Sequence, residues 1–203
     1  MNAKQIVIAL RMTLVTLVLT GLAYPLAITG AAQLVFPRQA NGSLVPRGGR
    51  KVGSELIAQS FTNPAYLQPR PSAAGTGYDA AGSAASNLGP TSQKLRDRVA
   101  ADVGRLTAEN PQAPGPVPLE LVTTSGSGLD PHLSPEAAAW QAPRIAAARR
   151  VDVAKIQAIL ARNLEGRTLG VLGEPRVNVL LANLALDGEL GLAAAAPSGG
   201  GSP

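Results

Sequence analysis

His132 is the one imidazole in the chain, and so the only side chain whose unperturbed pKa lies near neutrality. Asp130 stands two positions before it, inside Thr124-Ser-Gly-Ser-Gly-Leu-Asp-Pro-His-Leu-Ser-Pro-Glu136, the densest polar stretch of the protein. A Ser-His-Asp relay would have to pass through this imidazole. No G-x-S-x-G elbow accompanies it, and neighbours at i and i+2 in a proline-containing loop fit bracing of that loop better than a relay. The patterns G-x-x-x-x-G-K-[ST], H-E-x-x-H and D-x-D-x-D-G are absent, so neither a phosphate cradle nor a metal site has sequence support. The chain has no cysteine, which removes thiolate, disulfide and zinc-thiolate chemistry. Asp130 and Asp187 are single carboxylates, whereas hard cations are held by several converging oxygens. Gly126, Gly128, Gly170 and Gly173 read as turn glycines. What is left is the chemistry of contact, with no catalytic and no metal-ligating residue assigned.

The element on which the rest depends lies at the other end of the sequence. From Met12 to Pro37 there are 26 positions without a formal charge. As a helix at ~1.5 Å per residue they reach about 39 Å, more than the ~30 Å of bilayer hydrocarbon. A segment that stays in lipid must be helical, with Pro25 expected to disturb it. Two readings compete: a retained transmembrane helix over 12–37, or a secretory signal with Lys4 and Arg11 as its basic start and Gly30-Ala31-Ala32 as its cleavage site. The apolar run exceeds the ~7–15 residues of a signal core, which favours the retained helix. Thr16, Thr20, Ala23, Ala27 and Ala31 recur at helical spacing and form a stripe of small residues, a surface on which a second membrane helix packs closely. Basic residues flank both ends, with Lys4 and Arg11 before and Arg38, Arg47, Arg50 and Lys51 after, so the charge rule alone leaves topology open.

After the anchor the remaining chain suits one domain with a tail. The net charge of +5 comes from scattered arginines with no aromatic interleaving, which argues against nucleic-acid binding. The fold class expected is an α+β soluble domain, residues 38–190, tethered by one N-terminal transmembrane helix, with residues 1–11 as N-terminal tail and 191–203 as disordered tail. Asn41-Gly42 marks a tight turn, and short strands follow at Leu44-Val45 and Val52–Ile57 around a Pro46–Gly49 loop. Leu44-Val-Pro-Arg-Gly48 also matches a thrombin-cleavage sequence. Residues 61–90, rich in Pro, Gly, Ser and Ala, read as a long loop or linker, with Tyr66 and Tyr78 as pegs to the body or as partner contacts. A helix capped by Thr91 or Ser92 carries Leu95, Val99, Val103 and Leu106 on its core face. Val117–Thr123 alternates as a strand, and Ser134-Pro135-Glu136 starts a helix interrupted at Pro143 and resumed over Ile145–Arg149. Asp152 caps another helix running to Leu164 with Gly166 at its C-terminal turn. Leu169–Leu172 reads as a strand, and Val177–Leu186 as a strand turning into a helix with Leu180, Leu181 and Leu184 on one face.

Taken together, the N-terminal membrane helix, Gln39-Ala-Asn-Gly-Ser-Leu44, Arg70-Pro-Ser-Ala73, Ser86-Asn-Leu88, Ser127-Gly-Leu-Asp-Pro-His-Leu-Ser-Pro-Glu-Ala-Ala138, Gln141, Val177-Asn-Val179 and Asn183-Leu-Ala-Leu-Asp187 resemble the C subunits of bacterial Kdp-type potassium-transporting ATPases. The likeness extends to Leu190; Ala84-Ala85 departs from it where the family tends to carry glycines. The resemblance implies a non-catalytic accessory subunit of a high-affinity potassium uptake complex, in which ATP hydrolysis takes place on a P-type ATPase subunit. It implies a chain that binds no cofactor itself, although the complex uses ATP, Mg2+ and K+. The partners implied are that ATPase subunit, a channel-like potassium-binding subunit, a small membrane subunit and lipid. The implied location is the bacterial inner membrane, with the N-terminus cytoplasmic and the soluble domain periplasmic over the ion entrance. The family-motif residues are Asn41, Gly42, Arg70, Pro71, Ser72, Asn87, Gly128, Asp130, His132, Gln141, Asn178 and Asn183, without assigned roles. An alternative associated with the same family is a nucleotide-binding helper that raises the pump's ATP affinity through Gln141 and Ser125-Gly-Ser-Gly128, which requires a cytoplasmic body.

Overall fold

The computed structural model describes residues 2–193; most of the tail read as disordered, from residue 194 on, lies outside them. The chain divides into two compact units between Val52 and Gly53.

The first unit is built on a continuous helical rod of 33 residues, Ala3–Val35, none of them buried. At ~1.5 Å per residue it measures about 50 Å. It starts well before Met12 because the Asn2 backbone N–H donates to Gln5 Oε1 at 2.9 Å and fixes a first turn that carries Lys4. The rod comprises α1 (Ala3–Thr16), a π-helical stretch (Leu17–Ala23) and α2 (Tyr24–Val35). Pro25 explains the middle piece. It has no N–H to offer Gly21, and in α register its ring would press on that carbonyl. The wider turns upstream absorb the misfit, and the Tyr24 N–H reaches back five residues to Leu19 O. Thr20 Oγ1 donates to Thr16 O at 2.8 Å, which satisfies its hydroxyl within the rod.

A single helical turn, α3 (Pro37–Ala40), leads to Asn41, whose Nδ2 donates to Pro37 O at 2.6 Å and to Gln33 Oε1 at 3.0 Å. Gly42 and Ser43, at φ 83° and 48°, then turn the chain into a hairpin of β1 (Leu44–Arg47) and β2 (Arg50–Ser54). Its turn is Gly48-Gly49 alone, with φ 55° and 78°. That is the two-residue connection whose twist suits a hairpin, and it shortens the loop expected over Pro46–Gly49. Pro46 enters the strand because a two-stranded ribbon has free edges that need no donor.

In the second unit, α4 (Gln93–Glu109) begins at Ser92, whose hydroxyl accepts from the Leu95 N–H. Its stripe turns inward only in part: Leu106 is buried and Val99 packs on the core, while Val103 is exposed. Val117–Thr123 is not a strand. It folds as one 3-10 turn, Leu119–Leu121, closed by Thr123 Oγ1 donating to Leu119 O at 2.9 Å. Leu121 and Val122 are neighbours and both buried, which an alternating strand would not allow.

The helix capped by Ser134, α5 (Pro135–Arg149), runs without interruption through Pro143. Proline removes one main-chain bond there, but Ala142, Ile145 and Ala146 are buried around it and Asn110 Nδ2 donates to Trp140 O at 2.6 Å in the preceding turn. Packing thus holds a helix that the local rule would end. Asp152 caps α6 (Val153–Arg162) by accepting from Ala154 N at 2.8 Å. This helix stops at Asn163, so Gly166 is not its terminal glycine. A sheet follows from β3 (His132–Leu133), β4 (Leu164–Glu165) and β5 (Arg176–Asn178), antiparallel in the order β3-β5-β4, with His132 opposite Asn178 and Glu165 opposite Arg176. Leu169–Leu172 is no strand but the tip of the β4–β5 connection, where Thr168 and Leu172 exchange both backbone hydrogen bonds at 2.8 and 2.9 Å. Last, α7 (Val179–Leu190) starts from β5 as the sequence predicts. Its buried residues include Val179, Ala182, Asn183 and Leu186, so Leu181 and Leu184 lie off the core face. The core lies between α5, α6, α7 and the sheet, with Leu67 inserted from the long irregular segment.

Candidate functional site

The Gly128-Leu-Asp-Pro-His132 block forms a joint between the irregular segment and the sheet. Gly128, at φ 68°, lies so close to its neighbours that a Cβ would collide with Ala84 O and come within 2.9 Å of Ala74 N. It is therefore a close-approach glycine as well as a turn glycine. Ser72 Oγ donates to Gly128 O at 2.6 Å and accepts from Tyr78 N at 2.8 Å and Ala74 N at 3.1 Å. Ala84 N and Ser83 Oγ both donate to Ser127 O at 3.0 Å.

Asp130 sits between Arg70 and His132. Its Oδ2 accepts from Arg70 at 3.3 Å, its Oδ1 accepts from the His132 backbone N–H at 3.0 Å, and the His132 Nδ1 lies 3.5 Å from that same oxygen. Hydrogen bonding from His132, helped by the charge of Arg70, holds the Asp130 carboxyl below its usual range against the opposing effect of burial. Across the sheet His132 Nε2 lies 4.0 Å from Glu165, which in turn pairs with Arg176 at 3.0 Å. The result is a surface ladder of contacts running Arg70, Asp130, His132, Glu165, Arg176. No serine hydroxyl in the described structure donates to the imidazole.

Gln141 and Asn183, from α5 and α7, act as a pair. Asn183 accepts from Leu67 N at 2.7 Å and donates to Leu67 O at 2.9 Å. Gln141 accepts from Gln68 N at 2.9 Å and donates to Gln68 O at 3.0 Å. Each primary amide thus meets one residue of the irregular segment as a neighbouring strand would, satisfying both its backbone groups. Arg144 extends the clamp to Pro64 O (2.6 Å), Tyr66 O (3.1 Å) and Gln141 Oε1 (2.7 Å). Burial pushes its guanidinium down to about 10, still charged at neutral pH. Arg149 donates to Ala65 O at 2.8 Å, pairs with buried Asp187 at 2.9 Å and stacks over the Tyr66 ring at 5.0 Å.

Residues 61–90 are therefore irregular but held, and both tyrosines are pegs. Tyr66 donates its hydroxyl to Asp187 Oδ2 at 3.0 Å, and Tyr78 donates its own to Arg70 O at 2.9 Å. Burial raises the Tyr78 phenol to about 12. Pro71 lines a cleft of about 330 Å3 with Phe61, Gln68, Tyr78 and Arg105. Asn87 turns the segment at φ 51°. Asn178 caps α7 and donates to Glu55 O at 2.7 Å. Arg144, Arg149 and the clamping role of Asp187 escape sequence reading, because the bonds that tie them to residues 64–66 and to each other join residues 38 to 121 apart with no local pattern. Thr16, Thr20, Ala23, Ala27 and Ala31 all lie exposed on the rod, and the π stretch contains Thr20 and Ala23, with Thr16 before it and Ala27 and Ala31 after it. Among the described residues no three His, Asp or Glu side chains converge on a point that could hold a metal ion.

The profile of the KdpC family, described as K+-transporting ATPase, c chain, matches residues 6–188. A protein of Myxococcus xanthus, "Potassium-transporting ATPase KdpC subunit", is 64% identical over 195 residues, covering 95% of this chain and 92% of its own. Proteins of the same description from Rhodospirillum rubrum and Koribacter versatilis are 59% and 52% identical, covering 86% and 91% of this chain and 91% and 95% of theirs. With the family profile spanning anchor and body alike, and such identity over nearly the full length, the chain belongs to the KdpC family, the c chains of K+-transporting ATPases.

Proposed function

We propose that this chain is a single-pass accessory subunit of an ATP-driven potassium pump, holding the complex together and carrying no hydrolytic step of its own. Its near full-length identity to potassium-transporting ATPase subunits carries the reading. The geometry agrees with it. The rod presents an apolar surface with no charge between Arg11 and Arg38, and the motif residues of the body bind the chain's own backbone. In this reading the Thr16–Ala31 stripe packs against a channel-like membrane subunit, the N-terminus is cytoplasmic, and the body covers the outer ion entrance. The nucleotide-helper alternative needs polar atoms free for a ligand at Gln141 and Ser125–Gly128. Both amide atoms of Gln141 are bonded to Gln68, and Gly128 is closed against Ala74 and Ala84.

Native purification through a C-terminal tag in mild detergent, with intact masses of everything eluted, tests this. The expected result is a full-length chain accompanied by larger membrane proteins. A lone chain about thirty residues shorter would mean cleavage near Gly30–Ala32 and would overturn both anchor and accessory role.

A further inference from the structure

We propose that the tip of the β4–β5 connection, Thr168–Leu172, is a plug that seats in an uncharged aliphatic pocket on another protein subunit. The inference rests on the accessory-subunit reading and adds a contact outside the membrane rod. Leu169, Val171 and Leu172 are 86, 72 and 58% exposed, three large aliphatic side chains on one five-residue tip. The tip is not slack. Besides the two backbone hydrogen bonds between Thr168 and Leu172, Gly170 N donates to Arg167 O at 3.0 Å, and the Arg167–Glu174 pair at 2.7 Å closes the base. Leu169 is held at φ 53°, a left-handed conformation that favours glycine or asparagine and strains a leucine. A loop free of other demands would not place an exposed leucine there. A preformed tip loses little conformational freedom on docking.

Charge identifies the occupant. Arg167 is matched by Glu174 and Arg176 by Glu165, so the base carries no net charge to meet anionic headgroups. The tip also lacks the Trp, Tyr and Lys side chains that hold a segment at a bilayer surface. Neutral base and aliphatic tip fit a dry protein pocket.

The test uses the complete complex in native membranes. A photoreactive benzophenone side chain replaces Leu169, or Leu119 on the 3-10 turn, 72% exposed, as a control, before tag purification. The expected product is an adduct between position 169 and a larger subunit, with none from position 119. Leu169→Asp combined with Val171→Asp should lower recovery of that subunit by roughly tenfold, while Leu169→Gly, which keeps the fold and relieves the left-handed strain, should lower it less. Adducts with lipid alone, with a second copy of this chain, or none at all, while the complex still copurifies, would overturn the plug and leave the accessory role standing. A chain that elutes alone would remove both.

Discussion

Along Ala3–Val35 the uncharged side chains face outward, whereas in residues 53–193 the motif side chains Gln141, Asn178 and Asn183 are buried and bind main chain. The rod keeps its backbone bonds internal by being a helix and leaves its surface for contact. The body contains a long stretch with no regular partner and supplies the missing partner from amides and guanidiniums on α5 and α7. Motif residues therefore mean different things in the two regions. Small residues on the rod are a surface, and polar residues in the body are scaffolding.

Breaking the scaffold should cost most. Asp187→Ala leaves Arg149 buried without its carboxylate and removes the acceptor of Tyr66, an expected loss of about 3–5 kcal/mol in chemical denaturation. Wild-type stability in that variant would mean the pair is ornamental. Gly128→Ala adds a Cβ against Ala84 O and Ala74 N at a left-handed backbone, with an expected loss of about 1–3 kcal/mol by the same measurement. On the rod the readout changes from stability to assembly. Ala27→Leu should leave the body's unfolding transition unmoved and strip the partner subunit from the purified complex; undiminished copurification would refute the stripe.

The smallest effects are those of pH. Tyr78 has its folded pKa raised to about 12 against an ordinary value near 10, so its contribution is complete below pH ~10 and is lost as pH rises through about 12. Tyr78→Phe should flatten that alkaline limb. Asp130 is shifted the other way: its stabilisation is present above the ordinary carboxylate range and lost as pH falls through its lowered folded value. Because the Asp130 side chain is about a third exposed, the term is no more than about 1 kcal/mol, and Asp130→Asn should shorten the acid limb by that amount.

Which parts of this design were legible follows from the range of the forces involved. The caps at Ser92, Ser134 and Asp152 act over two or three residues, and each lies where the sequence places it. The strand-to-helix passage at Asn178 is local for the same reason. Pro143 misleads because a proline's local penalty is visible and the burial that outweighs it is not. Val117–Thr123 misleads because its residue types alternate while the chain makes a 3-10 turn that buries the adjacent Leu121 and Val122 and leaves Leu119 exposed. The clamps on Leu67 and Gln68 have no local signal at all, since any buried amide at the right distance would serve. The family resemblance named their residues without giving the reason.

The π stretch of the rod has a consequence of its own. Wider turns over Leu17–Ala23 accommodate more chain in the same number of turns, as if an extra residue had been let into an otherwise regular spiral. Replacing Pro25 so that the same residues wound as an ordinary α-helix would rotate everything on the N-terminal side by about 100° relative to α2. Hydrophobicity would hardly change, and the span would remain long enough to cross a bilayer. What would be lost is alignment: Lys4, Arg11 and Thr16 would point to new azimuths while Ala27 and Ala31 kept theirs. The stretch thus works as a rotational setting, adjustable in steps of one residue, that fixes which sector of the upper rod accompanies which sector of the lower.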